Sequence, residues 1–333
     1  MNEVSNRDTI IRITALWAFT EAGLGGVLHL FKPPFSGLVL CGLSIIYLSM
    51  IARHSNYSAR VILQSVLLVV LVKILVSPHS GIMAYFAVSF QGVLAAGIFS
   101  VFKKSTPALF LFSISAMLES ALQKLIILTV LFGMDFWDAV NEFGLSVYLI
   151  FFSSAPEGHF FSWAAVSGYL FIYLMGGVAA AVLYLRITRK IDAMEDREVE
   201  EELSFTSEPE KIEGVKSRKN RWINRLLLIG LLCFTVVFSS TISDWSGVLY
   251  ILLRTVTIIL VWIYLVNPLL FYLLKKMLKK RLDKKREEVA NIRALFPWLK
   301  VVVSTSWKKT EDLHGLAKME NFLVWTFYFL LRK

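Results

Sequence analysis

Residues 81–132 read GIMAYFAVSFQGVLAAGIFSVFKKSTPALFLFSISAMLESALQKLIILTVLF. The stretch contains two apolar runs, Gly81–Phe102 and Pro107–Phe132, separated by the basic pair Lys103 and Lys104. Each run is close to the ~20 residues that an α-helix needs to cross a bilayer. The stretch therefore predicts two membrane helices joined by a short basic connection.

Six further apolar runs of similar length lie on either side of this pair. Basic residues are concentrated at alternate ends of the runs, whereas the other connections contain Lys32 and acids such as Asp135 and Asp138. Because Lys and Arg concentrate in cytoplasmic loops, the alternation predicts eight spans with both termini in the cytoplasm. We expect an all-α, polytopic integral protein of the bacterial inner (cytoplasmic) membrane. The six runs are Thr9–Phe31, Phe35–Ile51, Val61–Ser77, Phe160–Leu185, Leu226–Ile242 and Gly247–Leu274.

The composition agrees with a membrane protein. Hydrophobic residues make up 56% of the chain and charged residues 18%, against about 25% charged in a soluble domain. The net charge of +10 is accounted for by topology and by attraction to anionic lipid headgroups. The expected partner is therefore a lipid bilayer and not nucleic acid. Cys41 and Cys233 both lie in predicted spans, so we expect reduced thiols rather than a disulfide.

A long charged stretch divides the predicted spans into two groups. It is too polar to bury enough apolar surface to fold alone, which is typical of a linker. The chain is therefore expected to contain four regions. These are a six-helix transmembrane bundle (1–185), a charged cytoplasmic linker (186–222), a two-helix transmembrane unit (223–275) and a basic, amphipathic or interfacial C-terminal segment (276–333).

Three segments predict helices at the membrane surface. Phe136–Phe152 is semi-apolar and begins with acids, which indicates a short helix on or dipping into the outer leaflet. Lys275–Lys300 repeats apolar residues at spacings of three, four and seven, as a basic amphipathic helix does. It would lie on the inner leaflet or dock on a cytoplasmic partner. Phe322–Leu331 is too short to span, so an interfacial or re-entrant piece is expected.

Common catalytic signatures are missing from the sequence. It contains no Gly-x-x-x-x-Gly-Lys-Ser/Thr loop, Gly-x-Ser-x-Gly, His-Glu-x-x-His or Cys-x-x-Cys. The five histidines are scattered, without the i,i+3 or i,i+4 spacing of a metal site on one helix. An enzyme is therefore not expected, no metal site is indicated, the sequence leaves any cofactor unknown, and any ATPase would be a separate chain.

Ionisable and amide side chains inside the predicted spans are the candidate functional residues. Such groups are costly at membrane depth and usually face a bundle interior or a wet cavity. In the fifth span, Glu119 and Gln123 continue a polar stripe from Ser115, and Lys124 belongs to a second stripe beside it. Most candidates fall in the predicted outer half of the membrane. The candidate substrate-binding residues are Glu21, His29, Lys32, Lys73, Gln91, Glu119, Gln123 and Lys124.

Three interpretations of these polar groups stay open. They line an outward-facing pocket for a small polar solute, or they form a proton relay. In the third interpretation they are structural: Glu119 pairs with Lys124 or Lys73 to hold the bundle together, while Lys32 and Lys124 extend to the outer headgroups.

Small residues predict how the first span packs. Ala18, Ala22 and Gly26 repeat every four residues and form a flat strip on which another helix can approach closely. This strip is the candidate helix-docking surface. A similar strip in the sixth span includes Gly177 and Ala181.

With these residues in view, the first ~185 residues resemble the substrate-binding S component of an energy-coupling factor transporter. That family has an Ala-x-x-x-Ala strip on its first helix, matched here by Ala18 and Ala22. The turn Lys32-Pro-Pro-Phe-Ser-Gly37 resembles the loop that caps the ligand in the family. The resemblance implies a six-helix bundle with both ends cytoplasmic, a vitamin or metal bound near the outer face, and docking on a transmembrane partner.

Two functions from different classes follow from the sequence. The first is a membrane subunit that binds or transports a small polar solute from the outer face. The second is a non-catalytic structural or assembly subunit of a multi-subunit inner-membrane complex, with other membrane or cytoplasmic subunits as partners. A polar vestibule open to the outside favours the first function, and a closed, dry bundle interior favours the second.

Overall fold

A computed structural model describes residues 3–31, 36–77, 81–154, 156, 158–194, 253–254 and 256–332. Every regular element in these ranges is helical, which confirms the all-helical prediction for this part of the chain. The helices are α1 (Glu3–Phe31), α2 (Ser36–His54), α3 (Ala59–Val76), α4 (Ile82–Phe102), α5 (Thr106–Phe132), α6 (Asp135–Phe151), α7 (Phe160–Ala193), α8 (Asn267–Lys284), α9 (Arg286–Ala294), α10 (Phe296–Lys308) and α11 (Gly315–Leu331). A π-helical turn, Trp262–Val266, precedes α8.

Among the described residues, six helical segments are long and apolar enough to cross a membrane. Five of them are α2, α3, α4, α5 and α7, and the sixth, Val256–Lys284, runs through the π-helical turn into α8. The chain is therefore a multi-pass membrane protein. Helix α1 covers the predicted first span but is not one of the six. The predicted span Leu226–Ile242, most of the predicted linker and Cys233 lie outside the described residues.

The membrane helices form a bundle around α2, which packs against α1, α3, α4, α5 and α7. Close approach of the helices depends on small residues. A Cβ atom at Gly92 in α4 would lie 2.2 Å from a methyl carbon of Val66 in α3, so only glycine fits there without movement. Large apolar side chains such as Val93 and Ile126 point outward, as lipid contact requires.

Helix α6 occupies the segment in which a short outer helix was predicted. It packs across the beginning of α7, where the Asn141 side chain accepts from Phe161 N–H (3.0 Å) and donates to the Gly158 carbonyl (3.2 Å). None of its residues is buried, and Phe143 and Ile150 are among its exposed apolar side chains. The surface of α6 is thus free to meet lipid or another protein.

The C-terminal helices pack on the N-terminal bundle. Val289 and Ile292 of α9 are buried, and α9 packs against α1 and α3. Helix α11, which covers the run predicted to be interfacial or re-entrant, lies against α7 and α1. Its Phe327 ring is 5.8 Å from that of Tyr47. The buried face of α11 is therefore covered by protein rather than by lipid.

Two boundaries differ from the sequence prediction. The segment Lys275–Lys300 was predicted as one helix, but it is divided between α8, α9 and α10, with breaks at Lys285 and Leu295. The second break has a clear cause, because Pro297 lies in the first turn of α10 and lacks the N–H that a continuous helix would use. The sixth predicted span also continues beyond residue 185, since α7 ends at Ala193.

Ion pairs fasten the end of the bundle at which α2 and α7 terminate. Arg53 binds both carboxylate oxygens of Asp192, at 3.0 and 2.9 Å, and so connects α2 to α7. Lys190 of α7 contacts Glu320 of α11 at 2.7 Å, and Arg186 contacts the same carboxylate at 3.5 Å. The Glu320 side chain is only 15% exposed. These contacts hold α11 against α7.

The contribution of Glu320 to the stability of the fold should depend on pH. The hydrogen bond from Lys190 holds the pKa of Glu320 below its ordinary value of 4.5. The ion pair therefore stabilises the fold fully above about pH 4.5, and its contribution is lost as the pH falls through the lower pKa of the folded state. We expect Glu320→Gln to cost up to about 1 kcal/mol at pH 7. Unfolding in detergent at a series of pH values should show the two proteins converging in acid; a difference that persists there would contradict the ion-pair role.

Candidate functional site

A cavity of about 200 Å³ lies between α1, α2, α3, α4, α5 and α7. It is near the end of the bundle at which α2 and α4 begin and α3 and α5 terminate. Apolar side chains such as Leu40 and Ile127 form part of the wall. The polar side chains come from all six helices and are Glu21, Ser44, Lys73, Gln91, Ser120, Gln123, Lys124 and Tyr173, with Cys41 beside them.

The floor of the cavity contains a buried ion pair between α1 and α3. Lys73 Nζ lies 2.7 Å from Glu21 Oε2, and the two side chains are only 2% and 5% exposed. The other carboxylate oxygen accepts a hydrogen bond from Ser44 Oγ at 3.2 Å, and Ser44 Oγ in turn accepts from Trp17 Nε1 at 3.2 Å. Both oxygens of Glu21 are therefore occupied by donors of the protein itself.

The turn between α3 and α4 positions Lys73. Tyr85 in the first turn of α4 donates its hydroxyl proton to the carbonyl of Ser77, 3.0 Å away. The Tyr85 ring thereby comes within 5.8 Å of Lys73 Nζ, measured to the ring centre. A cation over an aromatic face is attracted by the negative face of the ring. Lys73 is thus held by both a carboxylate and an aromatic ring.

Helices α5 and α7 supply the other side of the cavity. Gln123 Nε2 donates to the carbonyl of Met83 at 3.3 Å, which orients its amide between α5 and α4. Lys124 is exposed at the rim, and no ion pair with it is found among the described residues. On α7, Tyr169 donates its hydroxyl proton to the hydroxyl oxygen of Tyr173 at 3.1 Å. The Tyr173 hydroxyl proton is consequently left for another acceptor.

Glu119 lies outside this wall, although it was the most prominent residue of the predicted polar stripe. Both its carboxyl oxygens are enclosed, and they have no hydrogen-bond partner in the part of the chain that the structure describes. The predicted pairing of Glu119 with Lys73 or Lys124 is wrong. Lys73 is neutralised by Glu21 from α1, and Lys124 is five residues from Glu119, which places the two on different faces of α5.

Five of the eight predicted substrate-binding residues meet in the wall of this cavity: Glu21, Lys73, Gln91, Gln123 and Lys124. The side chains of His29 and Lys32 lie outside the described residues. The sequence did not single out Ser44, Cys41 or Tyr173 as site residues. Single Ser, Cys and Tyr residues are common in apolar helices, so only the packing of α2 and α7 reveals that these three face the cavity.

Ala18 and Ala22 in the small-residue strip of α1 differ in burial. Ala18 is fully buried within its own chain, so its methyl group is not available to a partner in this conformation. Ala22 is partly buried, and the surroundings of Gly26 lie outside the described residues. In α7, by contrast, Gly177 and Ala181 face their own bundle and bring α7 close to α5.

Within the described ranges, no group of three or more His, Cys, Asp or Glu side chains could hold a metal ion. The described side chains of the cavity wall offer hydrogen-bonding and charged groups to a ligand. Comparison with known proteins adds no assignment: no family model, no curated protein and no solved structure matches this chain.

Proposed function

We propose that this protein is a membrane subunit that binds a small polar solute in the cavity between the six helices α1–α5 and α7 and takes it up from the outer face of the bacterial inner membrane. One observation carries the proposal. Charged and amide side chains from four helices, Glu21, Lys73, Gln91 and Gln123, converge on one cavity of about 200 Å³ inside the helical bundle.

Energetics favour a binding site over a purely structural role. Polar groups inside a membrane are expensive and are usually retained where a pathway or a ligand requires them. A structural ion pair needs only its partner and a close-packed surround. Here the pair borders open space, and the Gln91 amide reaches the same space from a different helix. The volume is below the roughly 300–1,000 Å³ of pockets for drug-sized ligands, so a small solute fits best.

The distribution of basic residues supports a cavity that opens toward the outer face of the membrane. Arg53, Lys103 and Lys104 lie at the bundle end opposite the cavity. Because basic residues favour the cytoplasmic side, the cavity end is proposed to face outward, within an eight-span arrangement with both termini cytoplasmic.

The resemblance to the S component of energy-coupling factor transporters agrees with this proposal. A subunit of that kind binds its solute and depends on other chains for energy. The basic C-terminal end of α8 and the helices α9 and α10 would then lie on the cytoplasmic side, where further subunits could dock. We propose other membrane or cytoplasmic subunits as partners on this basis.

A second candidate function is favoured by α6. This helix presents Phe143, Ile150 and Phe151 on its exposed surface and buries no residue in its own chain. In a structural subunit of a larger membrane complex, such a surface would pack against a neighbouring chain. The cavity would then hold no solute.

Filling the cavity tests the two functions against each other. Ala87 lines the cavity, so Ala87→Phe should occupy the space that a solute needs. Val93→Phe at an exposed position of α4 outside the cavity wall is the matched control. Each protein is purified from membranes, and its bound small molecules are identified by mass spectrometry. We expect a solute with the wild type and with Val93→Phe, reduced at least 10-fold with Ala87→Phe.

Other outcomes of the same purification are equally informative. Equal solute content in both variants would show that the solute binds elsewhere and would contradict the proposed site. A wild-type protein that carries partner chains but no small molecule would favour the structural function instead.

A further inference from the structure

The negative charge of Glu21 in the cavity wall is already balanced by a cation of the protein itself. Among the wall residues that the structure describes, Glu21 is the only carboxylate, and its two oxygens are occupied by Lys73 and Ser44. A cationic solute would have to displace Lys73 from a contact of 2.7 Å at a buried position. Breaking a buried pair in this way is strongly unfavourable.

The groups left over in the wall are mainly hydrogen-bond donors. A Lys ammonium has three N–H groups, so Lys73 retains two after it binds Glu21. Lys124 lines the same cavity and makes no ion pair with any residue that the structure describes. Tyr173 accepts from Tyr169 and keeps its own hydroxyl proton. An acceptor-rich solute group therefore matches this wall better than a donor does.

The charges of the wall do not cancel. Glu21 balances Lys73, which leaves the positive charge of Lys124 uncompensated among the wall residues within the described ranges. A solute with one negative charge would neutralise Lys124. The donors also match a carboxylate, whose two oxygens accept up to about four hydrogen bonds.

We infer that the solute is a small organic anion that bears a carboxylate or similar oxyanion, bound through Lys124 and the free donors of Lys73 and Tyr173. This inference rests on the proposed solute-binding function and specifies its substrate class. The cavity of about 200 Å³ is smaller than the roughly 300–1,000 Å³ of pockets for drug-sized ligands, which limits the anion to a small molecule.

Charge-selective modification of an introduced cysteine tests the inference. Ala87→Cys is placed in a chain in which Cys41 and Cys233 are replaced by Ala. The full chain is studied in phosphatidylcholine nanodiscs, which expose both faces. Its reaction rates with anionic sulfonatoethyl and cationic trimethylammonioethyl methanethiosulfonate are each divided by the rate with a free thiol. Met134→Cys, at an exposed position after α5, is the control.

We expect the corrected ratio of anionic to cationic rates to be about 5-fold higher at Ala87→Cys than at Met134→Cys, as one nearby positive charge would produce. Adding Lys124→Gln should remove the preference, and Lys124→Arg should retain it. A preference for the cation, no preference, or a preference that survives Lys124→Gln would overturn the inference and leave the proposed function standing. If neither reagent modifies Ala87→Cys while both modify Met134→Cys, the cavity is not accessible and the proposed function is overturned.

Protection from modification distinguishes a free solute from a lipid headgroup. Benzoate and benzamide have nearly the same shape, but only benzoate carries the charge. We expect benzoate to slow the modification of Ala87→Cys at least 3-fold more than benzamide at equal millimolar concentration. Equal or no slowing would contradict an anionic solute. Slowing by phosphatidylglycerol nanodiscs and not by benzoate would assign the anion to a lipid and overturn the proposal of a free solute.

Discussion

Glu21→Gln should lower the free energy of unfolding by about 3–5 kcal/mol, because it leaves the Lys73 ammonium buried without its carboxylate. Lys73 is almost fully enclosed, and Glu21 is its ion-pair partner at 2.7 Å. The neutral amide can still accept a hydrogen bond, but it cannot balance the charge. Unfolding of the purified protein in mixed detergent micelles with rising sodium dodecyl sulfate would measure the loss.

Two further variants separate the ion pair from packing. The double change Glu21→Gln and Lys73→Met removes both charges, so it should recover much of the stability that Glu21→Gln loses. Glu119→Gln is the matched control, since the Glu119 oxygens have no hydrogen-bond partner within the described residues and no cation is left unpaired. We expect its effect to be below about 1 kcal/mol. A loss at Glu119 equal to that at Glu21 would contradict the assignment of the structural charge to Glu21.

This contrast also shows how far the sequence could predict the site. Glu21, Lys73 and Gln91 stand out in apolar helices, and their depth can be counted along each span, so their meeting at one end of the bundle was predictable. Which carboxylate pairs with Lys73 could not be predicted in the same way. It depends on which faces of α1, α3 and α5 turn toward each other, and these rotations are set by contacts between helices. In the structural interpretation of the sequence, Glu119 pairs with Lys124 or Lys73, whereas the structure pairs Lys73 with Glu21.

The fold was likewise predictable only in part: the sequence predicted the membrane helices but not how all of the helices pack. Apolar runs of membrane length identified α2, α3, α4, α5 and α7, because length and hydropathy alone decide whether a helix can span a bilayer. The packing of α9 and α11 against the bundle was not predicted. Their apolar faces suit a lipid surface as well as a protein surface. Tertiary contacts such as that between Tyr47 and Phe327 decide between the two surfaces.

Gly177→Leu should have the second large effect, because α5 and α7 meet there with no room for a side chain. A Cβ atom on Gly177 would lie 2.9 Å from Ile114 Cα and 2.9 Å from the carbonyl oxygen of Ser113. Both are backbone atoms of α5, so no side-chain rotation relieves the overlap. Overpacking of a close-packed core costs about 1–3 kcal/mol. We expect Gly177→Ala to fall in this range and Gly177→Leu to exceed it.

Gly168 in the same helix provides the matched control. No atom lies within 4 Å of a Cβ built there, and alanine is favoured over glycine in helices by roughly 0.5–1 kcal/mol. Gly168→Ala should therefore leave stability unchanged or raise it slightly, while Gly177→Ala lowers it. Thermal unfolding of both proteins in one detergent would reveal the opposite signs. A harmless Gly177→Ala would show that α5 and α7 can separate freely.

Gly177→Ala also tests whether the packing of α5 against α7 shapes the cavity. Helix α7 brings Tyr173 to the wall, one turn before Gly177, and α5 brings Gln123 and Lys124. Pushing the two helices apart should widen the distance between Tyr173 and the α5 side chains, so solute retention should fall together with stability. Gly177→Ala is the variant for this measurement, since it keeps the strain small enough for a folded protein. Full solute retention by a destabilised Gly177→Ala protein would show that the α5–α7 contact does not shape the cavity.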